Sequence, residues 1–392
     1  MSDKVTSKKA RHRLRNRILF ILEILILFVL AAGVYIYAQF NGVVRNMGSE
    51  LAGETDPLNV DDVFINESLT SDERLSGYTN IALVGIDTRD VTSVDYANSD
   101  TMIVASINND TQEVRMVSIY RDTYLNVNPM DPTYDKANSA YCRGSAAQML
   151  SMINANLDLD ITEYVVIDFR ALARLVDALG GVTVYMTQQE AHMVNDYCVE
   201  TSEVTGMDYT PLDVPLPEVE IIEPKDYDLN GVQAVAYCRI RKTDGLDFKR
   251  TQRQRLIIKK VIEKAKKKGL RAVQAIISDV LPLCKTSLSS SQILKMASQM
   301  FNYELTETSG FPICHIEDWV GDLDCVIPVT LEANVIELHK FLFDDENYEV
   351  TEAVRTYSSH IIDRTGYDES WIERASKASV IAHDGGESDT IN

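Results

Sequence analysis

The sequence predicts an α/β fold, a mixed sheet covered by helices and preceded by one transmembrane helix. Three observations carry that expectation. Short apolar runs of strand length alternate with longer stretches of helical period, the pattern of a sheet with helical connections. One pair of runs, Thr101 to Ile107 and Glu113 to Tyr120, is joined by the turn Asn108-Asn109-Asp110-Thr111, which makes part of the sheet antiparallel. Ile18 to Phe40 is twenty-three residues with one charge, enough to cross a hydrocarbon core of roughly 30 Å.

Seven Lys and Arg residues precede that apolar segment against a single Asp. Residues 1–17 are therefore expected as a cytoplasmic basic tail and 18–40 as an uncleaved anchor, with everything beyond Phe40 outside the cell, a single-pass protein of the cell membrane. Glu23 costs the span on the order of 2.5 to 3.5 kcal/mol at the centre, which the surrounding Leu, Ile, Phe and Val residues offset. Residues 41–77 are polar and acidic and read as an extracellular stalk. The net charge of -21 supplies no basic face outside the first seventeen residues, so a nucleic-acid partner is excluded.

Beyond the stalk, Ile81 to Ile86 is a buried strand followed at once by Asp87. In a hairpin the residue before the first strand lies opposite the residue after the second, so Asp100 and Arg121 become neighbours, and an antiparallel return brings Asp87 to the same sheet edge. Taken singly, each of the three is an ordinary strand-end or surface residue. Their convergence makes them a candidate site. Ser145 to Asn156 has helical spacing, Tyr164 to Phe169 reads as a strand, Phe169 to Leu179 as a helix stopped by Gly180-Gly181, and Val182 to Met186 as a further strand of the sheet. Residues 196–226 show no period and read as an excursion over the surface.

Leu229 to Arg241 begins as a helix and ends in Arg239 and Arg241. The next stretch, DFKRTQRQRLIIKKVIEKAKKKG, is the strongest helix, with Ile257, Ile258, Val261, Ile262 and Ala265 as its buried stripe. Arg250, Arg253 and Gln254 share one side of its first turns. A solvated charged face is the plain explanation of such a cluster. Against it, a cation at a helix amino terminus opposes the dipole, and a bound anion reverses that penalty. Arginine also suits a bidentate grip on phosphate oxygens. Ala272 to Leu281, Ser291 to Met300 and Leu331 to Leu342 read as further helices, and Phe311 to Val329 as two short apolar runs about a turn. A main folded domain, which would carry the candidate site, is expected over 78–345 and an acidic tail over 346–392. The matching positions of Cys314 and Cys325 on the two apolar runs suggest a disulfide between them.

Six ordered motifs, VGIDTRD, NSDTMIVASIN, VSIYRDT, YVVIDFRALARLVDALGGV, LNGVQAVAYCRIR and DFKRTQRQR, resemble the LytR-CpsA-Psr family of Gram-positive wall-polymer transferases over about residues 78 to 300. The resemblance implies an α-β-α sandwich that binds a polyprenyl-pyrophosphate-linked glycopolymer and moves its phosphate to a peptidoglycan sugar hydroxyl, with Mg2+. It implies that Asp87 and Asp100 handle the metal, and that Arg121, Arg239, Arg241, Arg250 and Arg253 hold the pyrophosphate, with Gln254 beside them. Tyr120, Asn98 and Lys249 depart from the usual motif residues, and none of these changes removes a charged group.

The residues agree with that chemistry. There is no P-loop and no Rossmann glycine fingerprint, and outside the cell a preactivated donor is required. Phosphoryl transfer asks of the protein mostly positioning and neutralisation of oxygen charge, which carboxylates, a magnesium ion and arginines supply. A carboxylate also takes the acceptor's proton, and sequence does not separate Asp87 from Asp100 for that role. The alternatives are a non-catalytic receptor for lipid-linked anionic wall precursors and a polyprenyl-pyrophosphate hydrolase.

Overall fold

The computed structural model describes residues 62–69, 73–87, 97–241, 246–377 and 382–383. The expected basic tail, anchor and most of the stalk lie outside the described residues. Among the described residues no helix is long and apolar enough to cross a membrane.

The chain begins its sheet with β1 (Tyr78–Ile86), β2 (Ser99–Asn108) and β3 (Glu113–Ile119), the antiparallel series read from the sequence. The small ribbon β4 (Tyr124–Asn126) and β5 (Tyr134–Lys136) follows, then α1 (Ser139–Leu157), β6 (Glu163–Ile167) and α2 (Phe169–Ala178). Asp168 caps α2 by accepting from the Ala171 N–H, and Gly180 and Gly181, both at positive φ, end it. Next come β7 (Val182–Met186), α3 (Gln188–Thr205), β8 (Lys225–Leu229), α4 (Gly231–Arg239) and α5 (Leu246–Lys268). The last part of the chain holds α6 (Leu270–Ala275), β9 (Lys285–Thr286), α7 (Ser290–Gln299), β10 (Glu304–Phe311), β11 (Cys314–Val320), β12 (Leu323–Pro328), α8 (Leu331–Phe343), α9 (Glu352–Thr365), β13 (Ser376–Lys377) and β14 (Ala382–His383).

The central sheet runs β14-β10-β3-β2-β1-β6-β9 and is mixed, since β6 joins β1 and β10 joins β3 in parallel. Strand side chains alternate between faces. Val84, Met102, Val104 and Val117 therefore pack with α1, α8 and α9 in the main core, while Leu83, Ile103 and Val114 face α5 on the other side. Helices thus cover both faces of the sheet.

Four expectations are corrected. Val182 to Met186 is a strand, but it leaves the central sheet and pairs antiparallel with β8. Its burial alternates, with Thr183 and Tyr185 exposed, which suits a ribbon covered on one face and not a central strand covered on two. The first part of the 196–226 excursion is helical, because a capping box of Thr187 and Glu190 starts α3 and carries it to Thr205. The end of the stalk is part of the domain: Val63, Leu69 and Leu75 are buried, and the Asn66 amide donates to Asp158. The expected tail likewise supplies α9, whose Val354, Tyr357 and Ile361 enter the main core.

The disulfide is also overturned, since all six cysteines are free. The hairpin β11–β12 forms as read, but its register sets Cys325 opposite Asp318. Cys314 lies four residues further along, about 13 Å at strand rise, beyond the roughly 4.4 to 6.8 Å a disulfide spans.

Candidate active site

A register shift between Gly85 and Ile86 sets Ile86 opposite Ser99, so Asp87 leaves β1 at the edge where Asp100 enters β2. Met102 pairs with Ile119, which continues to Asp100 opposite Arg121. Arg121 Nη1 donates to Asp100 Oδ1 at 2.9 Å, and Arg241 Nη2 donates to Oδ2 at 2.9 Å. Arg250 Nη2 donates to the Asp100 carbonyl at 3.0 Å, with its Nη1 3.8 Å from Oδ2. One aspartate so joins the end of β3, the segment after α4 and the first turns of α5. Arg121 is held from its other side by Asp122, whose second oxygen meets Lys136 Nζ at 3.1 Å.

Beneath this cluster sits an aromatic wedge. Tyr120 is buried edge-on against Phe248, with ring centroids 4.7 Å apart, and against His315 at 5.8 Å. Its hydroxyl occupies the space a side chain on Gly310 would need, since a Cβ there would overlap it. Burial pushes the His315 imidazole down to about 4 although its Nδ1 bonds the Pro312 carbonyl, so the ring is neutral. Tyr120 and Phe248 immediately precede Arg121 and the Lys249-Arg250 pair, and the wedge fixes where those arginines begin.

Arg239 and Arg253 have different partners. Arg253 Nη2 and Nε donate to Glu190 Oε1 at 3.0 and 3.3 Å, its Nη1 donates to the Ile240 carbonyl at 3.2 Å, and its guanidinium lies over the Tyr237 ring. Burial would push the Glu190 carboxyl up, but the Thr187 N–H and the Arg253 guanidinium outweigh it and hold the carboxyl below its ordinary range. Arg239 donates to Glu200 at 3.0 Å and to Thr201 at 2.9 Å, and stacks over Phe169.

A cavity of about 770 Å³ opens between the sheet and α5. Its mouth carries Asp87, Asp100, Arg239, Arg241, Arg250 and Gln254; its depth is walled by aliphatic residues such as Leu83, Ile103, Leu172, Ile258 and Ile276.

The sequence profile of the LytR_cpsA_psr family matches residues 35–325, well over half of the chain. The chain belongs to that family. A polyisoprenyl-teichoic acid–peptidoglycan teichoic acid transferase TagU of Enterococcus faecalis is 31% identical over 220 residues, which are 56% of this chain and 64% of that protein. The TagU of Halalkalibacterium halodurans is 30% identical over 238 residues, 60% of this chain and 67% of the relative. The chain thus spans about two thirds of the length of these curated relatives. Among solved structures, TagT bound to LI-WTA aligns with a TM-score of 0.52 at 21% identity, covering 71% of this chain and 94% of TagT, a likeness of fold.

Within this LytR_cpsA_psr domain, the residues singled out from sequence fall into three groups. Asp87, Asp100, Arg239, Arg241, Arg250 and Gln254 line the mouth, and Arg121 joins it through Asp100. Arg253 is buried, does not line the cavity and pairs with Glu190 and the Ile240 carbonyl. The same turn of helix separates it from Arg250 by a rotation that points it at α3. Sequence reading missed Asp122, Lys136, Glu190 and Glu200. Asp122 stands inside the VSIYRDT motif and Glu190 completes a Thr-x-x-Glu capping box, so both had local signals; Lys136 and Glu200 reach the site through tertiary packing and had none. Among the described residues no group of three or more His, Cys, Asp or Glu side chains is gathered as a metal cage.

Proposed function

We propose that this protein is a membrane-anchored phosphotransferase acting outside the cell, which moves a glycopolymer phosphate from a polyprenyl-pyrophosphate carrier to a peptidoglycan sugar hydroxyl. The observation that carries this reading is a cavity of about 770 Å³ that joins aliphatic walls to a cluster of arginines. An isoprenoid chain and a pyrophosphate are one molecule with those two requirements. The relatives named as teichoic acid transferases, and TagT bound to LI-WTA, support it.

Isoprenoid carbons entering the cavity gain about 0.8 kcal/mol per buried methylene. The pyrophosphate then rests against Arg241, the more exposed member of the Asp100 cluster at 42%, with Arg121 and Arg250 held behind it by Asp100. Charge-assisted bonds from these guanidiniums fix the phosphorus and offset charge on the leaving phosphate. The acceptor hydroxyl attacks the phosphorus that bears the polymer, the bond to the polyprenyl phosphate breaks, and polyprenyl phosphate leaves. Both Asp100 oxygens accept arginine N–H groups, so Asp87 is assigned the acceptor's proton.

The mouth fits a magnesium ion. Asp87 and Asp100 are hard oxygen donors, each Asp100 oxygen keeps a lone pair beside its arginine bond, and substrate oxygens and water complete the set, as magnesium prefers. When bound, the ion neutralises phosphate-oxygen charge.

Full-length protein in detergent, given a lipid-linked donor with and without a glycan acceptor, tests the reading. Glycan-linked polymer supports it. Free polymer phosphate in place of that product makes the protein a hydrolase, and donor binding without turnover makes it a receptor.

A further inference from the structure

The β11–β12 hairpin has two unlike faces. Paired residues share a face, so His315, Glu317 and Trp319 lie with Pro328, Val326 and Asp324, while Ile316, Val320, Cys325 and Ile327 turn the other way. The second face also carries Leu323 and the exposed Asp318, which accepts from the Tyr367 hydroxyl; its Val320, Cys325 and Ile327 sit in the main core. The first group starts buried, where His315 and Val326 meet Tyr120 and Phe248 under Arg121, and ends in the open. Glu317 and Asp324 are exposed, and Trp319 is 64% exposed on a rigid strand.

This face is joined to the active site by backbone. The Val326 N–H donates to the Asp122 carbonyl at 2.9 Å, and Thr123 bridges Val326. Asp324 is two residues further along β12, about 7 Å, and Trp319 is its cross-strand partner. A ledge that carries an indole and two carboxylates therefore begins at the residue that grips Arg121 and runs outward from it.

Its chemistry is opposite to that of the mouth. Arginines attract a polyanionic donor; Glu317 and Asp324 repel one. Carboxylates accept hydrogen bonds from sugar hydroxyls, and an exposed indole offers a flat apolar surface to the C–H face of a pyranose. We propose that Trp319, with Glu317 and Asp324, is the acceptor subsite and seats a neutral N-acetylated amino-sugar strand whose hydroxyl reaches the mouth beside Arg121. This deepens the transferase reading above and rests on it for the word acceptor.

Binding and turnover are read separately with the full-length protein. Titration with a pentamer of N-acetylglucosamine, followed by calorimetry, is expected to show binding that Trp319→Ala weakens roughly tenfold and Trp319→Phe largely restores, the scale of one aromatic stacking interaction. In the transfer assay Trp319→Ala is expected to raise the acceptor KM by a similar factor, with kcat at saturating acceptor and donor Kd kept within about twofold. Circular dichroism and thermal melts check that the variants fold. Absence of pentamer binding by the wild type, or equal binding by wild type and Trp319→Ala, overturns the ledge while leaving transfer untouched. Pentamer binding lost in Trp319→Ala by a protein that transfers nothing keeps the glycan ledge and removes the transferase reading instead.

Discussion

The arginines of this site form two sets that look alike in sequence and differ in what holds them. Arg121, Arg241 and Arg250 converge on Asp100, at a cavity mouth, and Arg241 keeps 42% of its side chain exposed. Arg253, only three residues after Arg250, keeps 6% and is committed to Glu190 on α3. Arg239 stands between these cases, lining the mouth but paired with the half-open Glu200. The charge on an arginine does not decide its role. On the proposed function, what decides it is whether the carboxylate that neutralises it also faces the substrate, and for Arg253 the anion that answers the helix macrodipole penalty is the internal Glu190.

The largest expected effect tests the structural set. Arg253→Ala leaves Glu190, part-buried, without its charged partner and with only its Thr187 bonds, and should cost about 3 kcal/mol of stability, read by urea unfolding, with kcat of the folded fraction little changed. The acid limb should change as well. Glu190 is held below its ordinary value, so its contribution is present above about pH 4.3 and is lost as pH falls through the lower folded value; in Arg253→Ala that acid-side loss should vanish or invert. A variant as stable as wild type but inactive would move Arg253 into the substrate set.

Arg121→Ala is expected to do the reverse. Each charge-assisted bond to a pyrophosphate is worth about 1.5 to 3 kcal/mol, so transfer should fall roughly ten- to 150-fold for every such bond removed, with a thermal midpoint close to wild type. Turnover at the wild-type rate would remove Arg121 from the site. Asp87→Ala removes the assigned proton acceptor together with a magnesium ligand, so transfer should fall about as far as in Arg121→Ala, with a higher magnesium concentration for half-maximal rate; wild-type turnover with an unchanged magnesium titration would make Asp87 structural. The smallest belongs to Glu200→Gln. Glu200 is itself exposed although Arg239 is not, and Gln keeps a hydrogen-bond acceptor for the guanidinium, so stability should shift by no more than about 1 kcal/mol, and donor KM should fall as Arg239 is released. A rise in donor KM would show that Glu200 positions Arg239 instead of competing for it.

Sequence alone determined the parts of this protein that depend on local pattern. The antiparallel strands ending in Asp87, Asp100 and Arg121 were legible because a two-residue period and a polar turn fix register, and register alone brings strand ends together. The long helix α5 and its arginines were legible from a periodic apolar stripe, and the family from six motifs in order. Tertiary structure decided the rest. Whether β7 joined the central sheet depended on which of its faces found a partner, and whether residues 346–365 were tail or core depended on where Val354, Tyr357 and Ile361 could be buried. The fate of Arg253 turned on Glu190, sixty-three residues away, and the absence of the expected disulfide on a four-residue offset in a hairpin that was otherwise read correctly. Side-chain period is a property of neighbouring residues in the chain; the partner of a buried charge is a property of packing, and no spacing in the sequence encodes it.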